Sequence, residues 1–117
     1  MEIPKPVRYD KVEDQKNVKL AAKLDLGRCQ WHIFKENITR QGSAPHHIYG
    51  KRRRWDLDSI ITLCMSCHTD FHTARQVKKE TVITKEKLIT LMEENVIPIR
   101  KLRAKRLGIE LPEDSGI

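Results

Sequence analysis

The sequence predicts a small α+β domain in which two short strands are flanked by helices. A chain of 117 residues suits one compact domain. The run "IITL" at residues 60–63 is apolar and β-branched, and it is too short for a helix, so it predicts a strand. Apolar residues recur at helical spacing before and after the centre of the chain. We divide the chain into an N-terminal segment and helix (residues 1–28), a Cys- and His-rich centre (29–80) and a C-terminal part with basic helices (81–117).

The N-terminal part begins extended and continues as a helix. Pro4 and Pro6 disfavour helix over residues 1–9. Residues 10–27 then predict a helix that ends at Gly27, and its apolar positions are Val18, Leu20, Ala21 and Leu24.

The centre predicts the order strand, loop, strand, helix. "HHIYG" forms the first strand, residues 60–63 form the second, and "MSCHTDFHTARQVKK" forms the helix. We expect the strands to pair antiparallel, with the helix packed across them.

The C-terminal part predicts two more helices. Thr84 caps "KEKLITLMEEN", whose buried side carries Leu88, Leu91 and Met92. Pro98 opens a separate helix, "PIRKLRAKRLG", which ends at Gly108, and a loose tail follows.

Charge and cysteine count limit the possible partners and compartment. A formal net charge of +7 favours a polyanion such as nucleic acid, although many small basic proteins bind none. Three cysteines cannot form a complete set of disulfides. The chain starts without an apolar signal segment, and no stretch is long enough to span a bilayer. We therefore expect a reducing cytoplasm, no membrane association, and cysteines that bind metal.

All cysteines and histidines lie in residues 29–72, in two interleaved sets. The first set consists of two short-spaced pairs, Cys29-x2-His32 and Cys64-x2-Cys67. Such pairs form tetrahedral zinc sites and join distant segments of a small fold. The alternative is three buried free thiols and a structural histidine in a strand.

The second set consists of His46, His47, His68 and His72. On a helix, His68 and His72 project from one face, one turn apart, and can bind a divalent ion. In a strand, His46 and His47 point to opposite faces, so one can bind metal while the other has a different role. The alternative is a set of surface histidines without function.

The pattern "HHIYG…DLDSIITLCMSCHTDFH" resembles the HNH endonucleases, whose active site is the ββα-metal (His-Me) finger. The resemblance runs from Cys29 to His72 and includes the order, the spacing and the predicted secondary structure of the motif. It implies a ββα-metal finger stapled by a structural zinc knuckle, with additional flanking helices. The small size is similar to that of phage or prophage HNH proteins.

The resemblance also implies roles for the residues. His47 matches the general base that activates water. His46, His68 and His72 match the ligands of one catalytic ion. The family suggests Mg²⁺ or Mn²⁺, and three histidine ligands would also suit Ni²⁺, Co²⁺ or Zn²⁺. Ser59 stands where the family has an asparagine that orients the base, and it keeps only one hydrogen-bonding group. His32 replaces the usual second cysteine of the first zinc pair.

Two basic stretches are candidate nucleic-acid contacts. The first, Lys51, Arg52, Arg53 and Arg54, follows the first strand and lies beside the expected phosphate site. The second lies on the last helix and includes Arg100, Lys101 and Arg103; a solvated basic face is the alternative. Trp55 is expected in the core.

The sequence thus predicts a metal-dependent DNA endonuclease that nicks DNA with low sequence specificity. As a phage-type protein it would act in the bacterial cytoplasm as a monomer or weak dimer, with phage packaging proteins as possible partners. Two alternatives remain: a non-catalytic, zinc-stabilised nucleic-acid-binding module, and an RNA-cutting nuclease of the same fold.

Overall fold

The computed structural model describes residues 8–77 and 83–111. Within these residues the chain is a small α+β fold with a two-stranded sheet and several helices. The extended segment expected for residues 1–7, the end of the central helix at 78–79 and the tail at 112–117 lie outside the described residues. No helix of the described part has the length and apolar character needed to cross a membrane.

The elements follow the chain in a simple order. A 3₁₀ turn, Leu57–Ser59, precedes the second strand, and a π-helical turn, Met92–Val96, lies between the last two α-helices. The other elements are α1 (Lys11–Leu24), α2 (Gln30–Lys35), β1 (Ala44–His47), β2 (Ile60–Leu63), α3 (Met65–Val77), α4 (Lys85–Leu91) and α5 (Ile97–Leu107).

Helix α1 begins at Lys11, directly after its N-cap residue, Asp10. The Asp10 side chain accepts hydrogen bonds from the backbone N–H groups of Val12 and Glu13, which have no partner inside the helix. The helix ends at Leu24, and Gly27 completes the following turn in the left-handed region, at φ 62°. The prediction of a helix that Gly27 brings to an end is confirmed.

The two strands pair antiparallel, as predicted, and β2 forms the centre of the molecule. The predicted bounds of the first strand, residues 46–50, were wrong: β1 covers Ala44–His47, and the chain turns at Ile48 and Tyr49. Ala44 lies opposite Leu63, and His47 lies opposite Ile60. Every residue of β2 is buried. Because side chains alternate along a strand, Ile60 packs with α1 and α5 residues, whereas Ile61 belongs to a second hydrophobic cluster with residues of α3 and α4.

The C-terminal helices differ from the prediction. Thr84 caps α4 through its side chain, as expected, and Gly108 ends α5 in the left-handed region at φ 68°. Pro98 lies in the first turn of α5, as predicted, but α5 is not separated from α4, because the chain stays helical from Lys85 to Leu107. The π turn directly before α5 widens the hydrogen-bond spacing at the point where proline lacks an N–H.

A buried ion pair fastens α5 to the rest of the fold. Arg100 is 2% exposed, and its guanidinium donates to both carboxylate oxygens of Asp25 at 2.8 and 2.7 Å. The same group donates to the backbone oxygens of Leu57 and Ile60, at 3.0 and 2.7 Å. Thr62 donates to Asp25 at 2.6 Å. The prediction that Arg100 contacts nucleic acid is therefore wrong, because the side chain is buried and four of its five N–H donors are used inside the protein.

Candidate metal centres and active site

The first ligand set comes together as one buried group. Cys29 precedes α2, His32 lies on α2, and Cys64 and Cys67 lie at the start of α3. The distances from His32 Nδ1 to the sulfurs of Cys29, Cys64 and Cys67 are 3.2, 3.6 and 3.4 Å. A tetrahedral zinc ion with the usual bond lengths places such atoms about 3.5–3.8 Å apart. The group could thus hold a structural metal ion such as zinc.

The chemistry of the group also suits a metal ion. The Sγ atoms of Cys29 and Cys67 are 3.8 Å apart, which excludes a disulfide. Burial and the neighbouring thiols raise the pKa of Cys67. A bound cation would offset this cost, because it binds the thiolate. His32 lies on a helix, so the alternative of a strand histidine is wrong, and its Nε2 lies 3.2 Å from a Glu36 carboxylate oxygen that can orient the ring.

Close backbone packing brings the two halves of this group together. The Cys29 N–H donates to the Arg40 oxygen at 2.7 Å, and Arg28 forms a bridge with Gln41. A β-carbon on Gly42 would lie 2.7 Å from the Thr62 side chain and 2.9 Å from the backbone nitrogen of Cys29. Glycine is therefore required here for steric reasons.

The second ligand set divides between the two faces of β1. His46 lies opposite Ile61 in the sheet and points toward α3, where its ring centroid is 5.3 Å from that of His68 and 5.5 Å from that of His72. One nitrogen from each of these three rings lies within 4.8 Å of the others. The predicted grouping of His46, His68 and His72 is present, and it could hold a metal ion.

The polar atoms of this trio support the same interpretation. His46 Nε2 and His68 Nδ1 are buried and have no hydrogen-bond partner among the described residues. Leaving buried polar atoms unpaired is costly, and a shared cation would satisfy both. Burial, followed by repulsion from His68 and His72, lowers the pKa of His46 to about 4. The imidazole is therefore neutral near pH 7, as a metal ligand must be.

His47 points to the other face of β1, toward α1. Its Nε2 lies 2.7 Å from Oδ1 of Asp14, which is 2% exposed. The other oxygen of Asp14 accepts a hydrogen bond from the Tyr9 hydroxyl. Asp14 was not among the predicted site residues, although the sequence contains a signal for it. The residue lies four and seven positions before Val18 and Ala21, and so falls on the apolar face of α1.

Ser59 does not reach the histidine that it was predicted to orient. The residue is fully buried, and its Oγ donates to the Asp56 backbone oxygen at 2.8 Å. Its backbone oxygen accepts a hydrogen bond from Ile48 at 3.0 Å, which extends the sheet. Ser59 thus fixes the turn before β2, and its assignment as a catalytic residue is wrong.

The basic loop after β1 borders the histidines. Lys51, Arg52 and Arg53 are exposed and line a cavity of about 860 Å³ together with His46, His47, His68 and His72. Arg54 is less available, because it pairs with Asp56 at 2.9 and 2.7 Å and its guanidinium carbon lies 4.5 Å from the centre of the Tyr49 ring. Trp55 is buried, as expected.

One further cation lines the same cavity. Lys85, the first residue of α4, places its ammonium group 5.2 Å from the centre of the Tyr49 ring. The sequence analysis missed it because no run of basic residues surrounds it.

The predicted basic face of α5 is much reduced. Arg100 is buried, and Arg103 donates to the Leu24 backbone oxygen at 2.7 Å. Lys101 is exposed, but neither Lys101 nor Arg103 lines the cavity. The loop after β1 is therefore the better candidate for a phosphate-binding surface.

Comparison of the chain with protein-family models, with curated protein sequences and with solved structures finds no significant match.

Proposed function

We propose that the protein is a metal-dependent HNH endonuclease that nicks DNA. The observation that carries the proposal is the division of the second histidine set across β1. Three imidazoles lie on one face, two of them with a buried nitrogen that has no hydrogen-bond partner among the described residues, and a fourth, held by a carboxylate, lies on the other. All four line one cavity that is bordered by exposed cations.

The order of elements supports the ββα-metal finger that the motif implies. β1 and β2 pair antiparallel, α3 follows directly, and the Cys29–His32–Cys64–Cys67 group ties the start of α3 to the segment before β1. Cys67 and His68 are adjacent on α3, so a structural ion at the first site would also fix the position of a ligand at the second. A rigid scaffold of this kind is what a catalytic site requires.

The proposed reaction is hydrolysis of a phosphodiester bond. His47 accepts a proton from the attacking water through Nδ1, which makes no hydrogen bond within the described part of the chain. His46, His68 and His72 would hold the divalent ion, which when bound stabilises negative charge on the phosphate and on the leaving 3′ oxygen. Lys51, Arg52 and Arg53 bind the flanking phosphates.

Several features of the product follow from this assignment. The family resemblance implies 5′-phosphate and 3′-hydroxyl ends. One chain has one such site, so a monomer would nick a single strand. The proposed contacts are to the phosphate backbone, which carries no direct sequence information, so low sequence specificity is expected.

We predict that His47→Ala abolishes nicking while the protein keeps its fold. General-base catalysis contributes on the order of 10²- to 10⁴-fold to a rate, and an alanine at this position has no group that could accept the proton. The assay incubates supercoiled plasmid with the wild type and with His47→Ala in Mg²⁺ or Mn²⁺, and it follows the open-circle product on a gel.

Three controls make the result decisive. Thermal melting and zinc content should match between the two proteins, and Lys101→Ala, an exposed change far from the cavity, should nick at the wild-type rate. Parallel digestion of RNA tests the RNA-cutting alternative. A wild type that shifts DNA on a gel but cuts neither DNA nor RNA in any metal would instead indicate a zinc-stabilised binding module.

A further inference from the structure

We infer that Asp14 is a positioning residue for His47, which holds the imidazole with its proton on Nε2 and leaves Nδ1 directed at the substrate. The inference rests on the proposed function, because it assigns a partner to the proposed base. It adds α1, a helix outside the motif between Cys29 and His72, to the machinery of the site.

Each oxygen of the Asp14 carboxylate has its own partner, and together these contacts fix the orientation of the group. Oδ1 lies 2.7 Å from His47 Nε2, and Oδ2 accepts the hydrogen bond of Tyr9. An ionised carboxylate only accepts hydrogen bonds, so the imidazole nitrogen that faces it must carry the proton. The pKa of the Tyr9 phenol is raised to about 12 by partial burial and by this hydrogen bond, which keeps the phenol a donor. In the form that acts as a base, His47 then has its free lone pair on Nδ1.

The surroundings of Asp14 favour a functional role over a purely structural one. The other inward positions of α1 include Ala21 and Leu24, which are fully buried and apolar. A carboxylate at the same face loses its hydration, and replacing it by an apolar residue would avoid that cost. Within the described residues Asp14 is the side chain that hydrogen-bonds His47, since Ser59 donates to Asp56 instead.

Helix α1 is also fixed relative to the loop that follows β1. Asn17, one turn after Asp14, donates to the Trp55 backbone oxygen at 2.9 Å. The Tyr9 ring meets the Trp55 ring edge-on at 5.4 Å between centroids. Asp14 and His47 are 33 residues apart in the chain. The contacts of Asn17 and Tyr9 with Trp55 help to keep the carboxylate beside the imidazole.

The test compares Asp14→Asn with Glu13→Gln. Both changes convert a carboxylate to an amide in the first turn of α1, but Glu13 is exposed and makes no side-chain contact with His47. An amide can present its NH₂ group to Nε2, which favours the opposite tautomer. With plasmid and Mn²⁺, Asp14→Asn should lower kcat about 100-fold or more and leave KM nearly unchanged. Glu13→Gln should behave as wild type.

A spectroscopic readout tests the hydrogen bond without any reaction. ¹⁵N NMR of the imidazoles reports which nitrogen carries the proton, and the His47 signals are assigned by their loss in His47→Gln. We expect the proton on Nε2 in the wild type and a shift toward Nδ1 in Asp14→Asn. Such a shift would show that Asp14 sets the tautomer of His47, which a role confined to the packing of α1 would not do.

The outcomes separate the two proposals. A folded Asp14→Asn protein that nicks at the wild-type rate, or a wild type with its His47 proton on Nδ1, overturns the role of Asp14 and leaves the nuclease intact. A wild type that has the Nε2 proton but cuts no nucleic acid overturns the proposed function and the positioning role together, although the hydrogen bond stands. If Asp14→Asn does not fold, Tyr9→Phe decides: a several-fold fall in kcat supports the role, and an unchanged kcat overturns it.

Discussion

His46 and His47 are adjacent in the chain but lie in different surroundings. The pleat of β1 sends His46 into a buried group of imidazoles and His47 toward the carboxylate of Asp14. Burial lowers the pKa of His46 to about 4, and its Nε2 has no hydrogen-bond partner among the described residues. The hydrogen bond to Asp14 gives His47 a defined orientation. Two residues of the same type can thus take different roles because of the face on which each lies.

Arg100 illustrates how a charged residue can serve stability instead of binding. We predict that Arg100→Met lowers the free energy of unfolding by about 3–5 kcal/mol, because it leaves the buried Asp25 carboxylate without its cation. Thr62 would remain as one donor to Asp25. Chemical denaturation followed by circular dichroism measures the change.

The matched control is Lys101→Met, which makes the same substitution at the exposed neighbouring position. It should alter the free energy of unfolding by less than about 0.5 kcal/mol. Arg100→Met protein that is folded should bind DNA as the wild type does. A variant of unchanged stability and weakened DNA binding would restore Arg100 to the nucleic-acid surface.

Secondary-structure elements whose bounds are set by neighbouring residues could be predicted from the sequence. β2 lies at the predicted residues because a short apolar, β-branched run has few alternatives, and α4 begins where Thr84 can cap it. The continuous helix through Pro98 could not be predicted, because a proline usually marks a helix start or a break. The π turn that accommodates it depends on packing of Met92 and Val96 in the core.

The buried group of Cys29, His32, Cys64 and Cys67, which could hold zinc, depends on one close backbone approach. We predict that Gly42→Ala destabilises the fold by about 1–3 kcal/mol, because its β-carbon would lie 2.9 Å from the backbone carbonyl carbon of Arg28 and from the nitrogen of Cys29. Pushing this segment away would also displace Cys29, so zinc should be lost to a chelator more quickly.

Thermal melting and release of zinc to a colorimetric chelator measure both effects. Ser43→Ala changes the adjacent residue without adding a backbone contact and serves as the control. Wild-type melting and zinc release in Gly42→Ala would show that the segment can relax, and would contradict the steric argument.

At the scale of the whole molecule, long-range polar contacts join the segments that flank the motif to its centre. Asp14 and Asp25 of the N-terminal part contact His47 of the centre and Arg100 of the C-terminal part. β2 lies between the two hydrophobic clusters and contributes to each. The segments outside the motif therefore support the proposed site directly.

Tertiary folding also determines which site residues could be predicted from the sequence. The seven proposed metal ligands could be predicted from the spacing of the cysteines and histidines in the sequence, and the structure brings them into the two expected groups. Asp14 and Lys85 reach the site only through tertiary folding, so local sequence patterns do not identify them as site residues. Arg100 and Ser59 were misassigned because charge patterns and motif position do not report burial.

We propose that the two groups of ligands hold ions with separate roles, one structural and the other catalytic. The most direct measurement uses protein with one zinc ion per chain and follows nicking of supercoiled plasmid before and after addition of Mn²⁺. We predict no open-circle product from the zinc-loaded protein alone and rapid nicking once Mn²⁺ is added. Equal nicking without the second ion, or none in its presence, would contradict the account.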